Sequence, residues 1–162
     1  MNSSANEIIS LFEKLLADLT AAGVDFAVVG KVALFANGFD YLPEGLDILV
    51  SDSQENLAKL LGVLVRWGEG FARELTPADF PRQEGFIRIT EDFPLDVFTL
   101  MQGRTLDDFR PQFRRHGVTS CSFLHLAPEQ LIELKQRSWR GKDQIDVAAM
   151  KEIIERERKA KG

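Results

Sequence analysis

The sequence predicts an α/β (α+β) domain, a small mixed sheet flanked by helices, from three observations. Short apolar runs of strand length, Phe26 to Val29, Leu46 to Val50 and Leu95 to Leu100, alternate with segments of helical spacing. Gly and Pro fall at the boundaries between these segments. The chain has 162 residues, 44% of them hydrophobic and 28% charged, enough for one domain with a substantial core. No internal repeat, low-complexity tract or linker divides it. The reading is a single domain over 1–162, with an N-terminal helix in 1–24, a sheet-containing core in 25–125 and a C-terminal helix pair in 126–162.

The elements follow in order. Ile8, Ile9, Leu11, Phe12, Leu15, Leu16 and Leu19 repeat at helical spacing, with Ser3 or Ser4 as cap and Gly23 as the stop. Asp25 to Val29 is the first strand, and Gly30-Lys31 leads into a short helix over Val32 to Ala36. Asn37-Gly38 ends that helix, because both residues accept a left-handed turn. Pro43-Glu44-Gly45 then carries the chain into the second strand, Leu46 to Val50. Ser53 caps a helix through Leu57, Leu60, Leu61, Leu64 and Val65 that closes near Gly68. Glu69 to Gly85 is irregular. Phe86 to Thr90 alternates apolar and polar residues and, across the turn Glu91 to Pro94, forms a hairpin with Leu95 to Leu100. A short helix is expected over Leu106 to Phe113 and a strand near Val118 to Phe123. Pro128 opens a helix to Arg137, and a last helix runs from Lys142 to Lys159.

Bulk composition excludes several classes. A net charge of −5 opposes a strong nucleic-acid surface, which needs clustered cations, but leaves room for a locally basic phosphate site. No apolar run approaches the roughly 18–20 residues of a membrane helix. The polar start, Met1 to Asn6, lacks the pattern of a signal peptide. One cysteine, Cys121, allows no internal disulfide, so the expected compartment is cytoplasmic. Cys121 and His125 both lie in apolar surroundings and read as core residues. Arg110, Arg114, Arg115 and His116 form a basic patch whose default reading is a solvated helix face.

Two acids carry the functional signal. Asp47 sits in Leu-Asp-Ile-Leu-Val and Asp96 in Pro-Leu-Asp-Val-Phe, each the sole charge in an apolar strand. An ionised carboxylate there is costly unless paired, hydrogen-bonded or metal-bound. Two such acids facing one way on neighbouring strands would suit Mg²⁺. Gly30, where strand passes into helix, offers backbone N–H groups to a phosphate. Lys31 beside it reads in three ways: a phosphate contact, an ion-pair partner for Asp47 or Asp96, or a solvated residue.

Gly30-Lys31, Leu46-Asp47-Ile48-Leu49-Val50 and Leu95-Asp96-Val97-Phe98 together resemble the minimal nucleotidyltransferases of the DNA polymerase β superfamily, including the bacterial antitoxin-like and abortive-infection-like members. A further C-terminal pattern, Lys135, Arg140, Lys142-Asp143 and Asp146, is similar to theirs. The resemblance spans about Asp25 to Ile153. It implies a nucleotidyltransferase-like fold, Mg²⁺ as cofactor and a nucleoside triphosphate as substrate or ligand. Carried over by position, Asp47 matches the second metal-binding acid and Asp96 the third, while Gly30, Lys31 and Lys135 fall at phosphate-binding places.

Two positions depart from the family pattern. The first acid falls on Gly45, and the second small residue of the glycine turn falls on Lys31. Glu44 is three residues from Asp47, and side chains three apart on a strand face opposite ways, so Glu44 points away from Asp47 unless Pro43 and Gly45 bend the chain there. The metal site therefore reads as one ligand short, and Lys31 as a candidate for the missing positive charge. Lys135, Arg140, Lys142, Asp143 and Asp146 read either as supports of the site or as bracing of the last helices. The leading expectation is a nucleotidyltransferase-like protein with a degenerate metal site and weak or no catalysis. The alternatives are an active Mg²⁺-dependent transferase of a nucleoside monophosphate to a protein, RNA or small acceptor, and an antitoxin-like module acting on a partner protein.

Overall fold

A computed structural model describes residues 3–30, 44–117, 122–126 and 154–159, with side chains described over 10–30, 44–111 and 154–159. Its first element, α1 (Ser3–Ala21), buries Phe12, Leu15, Leu16 and Leu19 along one face. The helix begins at Ser3, so both serines expected as caps lie within it. Gly23, at φ 77°, turns the chain out of the helix.

Strands β1 (Phe26–Val29) and β2 (Leu46–Val50) pair antiparallel in the centre of the sheet. Helix α2 (Gln54–Leu64) follows β2, and the Ser53 side chain accepts from the Asn56 N–H at 3.1 Å to cap it. Leu57, Leu60, Leu61 and Leu64 of α2 enter the core. Burying one such leucine contributes about 1.5–3 kcal/mol. The irregular segment after α2 contains two 3₁₀ turns, Phe71–Glu74 and Pro77–Asp79.

The expected hairpin is present as β3 (Ile87–Thr90) and β4 (Pro94–Phe98), paired antiparallel. Pro94, assigned to the turn from sequence, opens β4 instead, a strand position that needs no ladder N–H. Phe93 at the turn folds under the hairpin, edge-on to Phe12 with centroids 4.6 Å apart and 5.0 Å from Trp67.

The next region corrects the sequence reading. Helix α3 spans only Leu106–Phe109 and passes through a 3₁₀ turn, Arg110–Gln112, into a strand. In place of one strand near Val118 to Phe123 there are two, β5 (Phe113–Gly117) and β6 (Ser122–Leu126), paired antiparallel. Arg114, Arg115 and His116 thus belong to a strand, not to a helix face. The charges concealed it because β5 is the outermost strand, and edge strands tolerate charge that blocks further pairing. His125 lies on β6 opposite Val28 of β1. Residues 154–159 are helical, with Ile154 packed on the core. Cys121, the helix expected over Val32 to Ala36 and the one from Pro128 to Arg137 lie outside the described residues, as does most of the helix expected from Lys142.

Among the described residues, the sheet has six strands in the order β3-β4-β2-β1-β6-β5. The β2–β4 and β1–β6 pairs are parallel and the rest antiparallel, which makes it mixed. No helix among the described residues is long and apolar enough to cross a membrane.

Polar side chains fix the ends of the central strands. Buried Asn56 accepts from the Asp25 N–H at 2.7 Å and donates to the Asp25 carbonyl at 3.0 Å and the Ser51 carbonyl at 2.8 Å. One side chain of α2 therefore ties the start of β1 to the end of β2. Arg110 links Asp25 to Asp107, and the hydrogen bonds it donates, to Asp25 first and then to Asp107, raise its pKa above the ordinary value. Just beyond β2, Asp52 takes two bonds of 2.9 Å from Arg82, pinning the irregular segment to the sheet. That hydrogen bond holds the Asp52 carboxyl below its usual range, against the opposing effect of burial.

Two predictions follow from these ties. Asn56→Ala removes all three of these bonds. The Asp25 carbonyl keeps its bond from the Ser51 N–H, while the Asp25 N–H and the Ser51 carbonyl lose their Asn56 partner, at about 1–3 kcal/mol for a buried group left unsatisfied. Denaturant unfolding should show a loss of at least that size, and an unchanged midpoint would refute the clamp. Because the folded pKa of Asp52 is depressed, its pairing stabilises above the unfolded pKa and is lost as pH falls through the folded one. The stability difference between the wild type and Arg82→Gln should be full at neutral pH, begin to fall below roughly pH 4, the ordinary Asp range, and vanish once the pH is below the depressed folded pKa of Asp52.

Candidate functional site

The site rests on the parallel pairing of β2 with β4, which sets Asp47 directly beside Asp96. Register partners point to one face of a sheet, and adjacent strands lie about 4.8 Å apart. The two candidate acids are therefore neighbours on one face. The same register continues outward, where Arg88 of β3 faces Asp96, and inward, where Val29 of β1 faces Asp47. A single row, Arg88, Asp96, Asp47 and Val29, crosses four strands. The alternate positions Leu46, Ile48, Leu95 and Val97 point the other way and are buried.

Like charges side by side on a sheet repel, and Asp96 is only 8% exposed. Arg88 answers this from the edge strand. Its Nε donates to Asp96 Oδ1 at 2.7 Å and its Nη2 to Oδ2 at 3.0 Å, a two-point grip on both carboxylate oxygens. The hydrogen bond and charge of Asp96, with a further contribution from the charge of Asp47, raise the Arg88 pKa above its ordinary value. The guanidinium stays charged while its side chain remains 56% exposed.

Glycine is required at two points around this row. Gly30 closes β1 at φ 69°, a conformation that side chains rarely adopt. A Cβ there would also lie 3.0 Å from Asp47 Cγ and closer still to Oδ2, so the carboxylate rests against the turn. At Gly45 the constraint is a close approach instead. A Cβ would come within 2.7 Å of the Pro94 carbonyl oxygen, where β2 and β4 begin side by side. The place where the family pattern has its first acid therefore holds no side chain unless the backbone moves. Glu44, just before it, is exposed in a bend.

Beside the charged row lies an aromatic one. Phe86 and Phe98, each two residues from Arg88 or Asp96, have ring centroids 5.3 Å apart. The Arg88 guanidinium lies 5.5 Å from the Phe86 centroid. A cavity of about 440 Å³, lined by Leu11, Leu15, Val63 and Trp67 with Lys14 and Arg66, shares no residue with either row.

Of the residues singled out from sequence, the structure brings together Gly30, Asp47 and Asp96. Lys31, Lys135, Arg140, Lys142, Asp143 and Asp146 lie outside the described residues. Arg88 was missed. The signal was available: in a hairpin with a three-residue turn at 91–93, Arg88 in the alternating stretch Ile-Arg-Ile falls opposite Asp96.

Among the described residues, the donor set does not fit two magnesium ions. Both oxygens of Asp96 are held by Arg88. Among the described residues, no three His, Cys, Asp or Glu side chains gather into a metal site.

No family model matches the chain, and no curated protein does. Among solved structures it is similar to that of a proposed nucleotidyltransferase from Thermotoga maritima, at 13% identity and a TM-score of 0.55. The match covers 79% of this chain and 82% of the other. The chain has a nucleotidyltransferase fold. At that identity the likeness establishes the fold and leaves the chemistry to the residues themselves.

Gly45 supplies a direct test of the site's geometry. Gly45→Ala and Gly45→Asp should each lose about 1–3 kcal/mol in denaturant unfolding, the usual cost of forcing atoms into a packed place. Equal stability in all three proteins would show that the strand openings leave room for a third acid.

Proposed function

We propose that this nucleotidyltransferase-fold protein has lost two-metal transfer and retains weak binding of a nucleotide. The two-point bond from Arg88 to Asp96 carries this reading. In a working two-metal site, carboxylates hold the ions that align the attacking oxygen, the phosphoryl group and the leaving group. Here a fixed guanidinium supplies the positive charge at Asp96, and a guanidinium is a hydrogen-bond donor, not a Lewis acid, so it cannot activate an attacking oxygen or polarise a phosphoryl group as a metal ion does. The close approach at Gly45 removes the place of a third acid and supports the same conclusion. Gly30, at φ 69° against Asp47, stands where the resemblance places a phosphate-binding glycine.

The test compares the wild type with Arg88→Gln, with and without millimolar Mg²⁺ or Mn²⁺. The wild type should show no cation-dependent rise in melting temperature and no transfer of labelled nucleoside monophosphate from ATP or GTP. Arg88→Gln frees the oxygens of Asp96 beside Asp47, so its melting temperature should rise with the divalent cation, and a further Asp96→Asn change should abolish the rise. A wild-type protein that binds Mg²⁺ through Asp47 and transfers a nucleotide would overturn the proposal.

A further inference from the structure

Phe86 stands just before β3, with its ring centroid 5.3 Å from that of Phe98 at the end of β4. Residues two apart on a strand share a face, so Phe98 lies on the face of Asp96, about 6.6 Å along β4, and the Phe86 ring meets it there. Phe86 is 51% exposed and Phe71 54%, whereas Phe12, Phe26, Phe80, Phe93 and Phe109 are buried; of the two exposed rings, only Phe86 stands beside the charged row. The Phe98 ring meets it at a tilt of 48°, and the Arg88 guanidinium, while gripping Asp96, lies over the Phe86 ring 5.5 Å from its centroid. The ring is thus held on two sides by groups that are themselves fixed.

We propose that Phe86, backed by Phe98 and flanked by Arg88, is a stacking platform for the planar heteroaromatic ring of a nucleotide. The inference rests on the nucleotide-binding reading above and adds where the base lies. An aromatic face accepts any base, since every base presents a π surface. A platform built from phenylalanine offers no hydrogen bond to select one base, so purine and pyrimidine nucleotides bind with similar preference. The spacing between the rows matches a ligand whose ring and phosphate lie several ångströms apart.

Calorimetric titrations with ATP and with inorganic tripolyphosphate, at matched Mg²⁺, test this in the wild type, Phe86→Ala and Phe86→Trp. The wild type should bind ATP about tenfold or more tightly than tripolyphosphate, the size expected from stacking one base. Phe86→Ala should lose that difference, and Phe86→Trp should keep it and report binding by quenching of indole fluorescence. Because Phe86 is exposed, the alanine variant should keep the wild-type melting temperature, which separates lost stacking from lost folding. Equal wild-type affinity for the two ligands, or a difference that persists in Phe86→Ala, would overturn the platform alone. Binding of neither ligand by the wild type would overturn the platform and the nucleotide-binding reading together.

Discussion

Two carboxylates on adjacent strands of a sheet need positive charge close by, and the arrangement around Asp47 and Asp96 answers that need. The parallel register of β2 and β4 creates the demand. The antiparallel register of β3 on β4 meets it at Asp96, by presenting Arg88 from the edge strand at the height of the buried acid. Because Arg88 lies on the outermost strand, its stem remains solvated while only its fork is committed. A metal ion in the same place would leave with a chelator; a guanidinium covalently part of the hairpin does not.

The central strands are held so that this register has no freedom to slip. Asn56 closes the ends of β1 and β2, and Arg82 ties Asp52 to the irregular segment leading into β3. A shift of one residue would turn Asp47 into the buried layer formed by Leu46, Ile48 and Val50, which the cost of an unpaired charge forbids. The glycines act through space in the same direction. Gly30 lets the Asp47 carboxylate rest against the turn, and Gly45 lets β2 and β4 start in contact. That second contact keeps the chain close and also excludes an acid from position 45.

Much of this was legible in the residues. Leu46 to Val50, the Ser53 cap and the β3–β4 hairpin carry strong local signals, namely an apolar run, an N-cap residue and alternation around a short turn. The strand Phe113–Gly117 was not legible, because Phe-Arg-Arg-His-Gly has the composition of a solvated surface and its strand form depends on pairing with β6. Arg88 was overlooked because an ion pair across a hairpin is a product of register, and alternation alone assigns a residue to a face without naming its opposite.

The sequence by itself determined the class of fold, the placement of two acids in apolar strands and the glycine at each point where the backbone must turn or crowd. Those features are local, set by side-chain period, backbone conformation and the cost of a lone charge in an apolar run. Only the tertiary structure decided which charge answers which. Arg88 and Asp96 meet because the turn length of one hairpin fixes their register, and Asp47 joins them through a parallel pairing between strands 49 residues apart at Asp47 and Asp96. That pairing is non-local, and no local pattern in the chain encodes it.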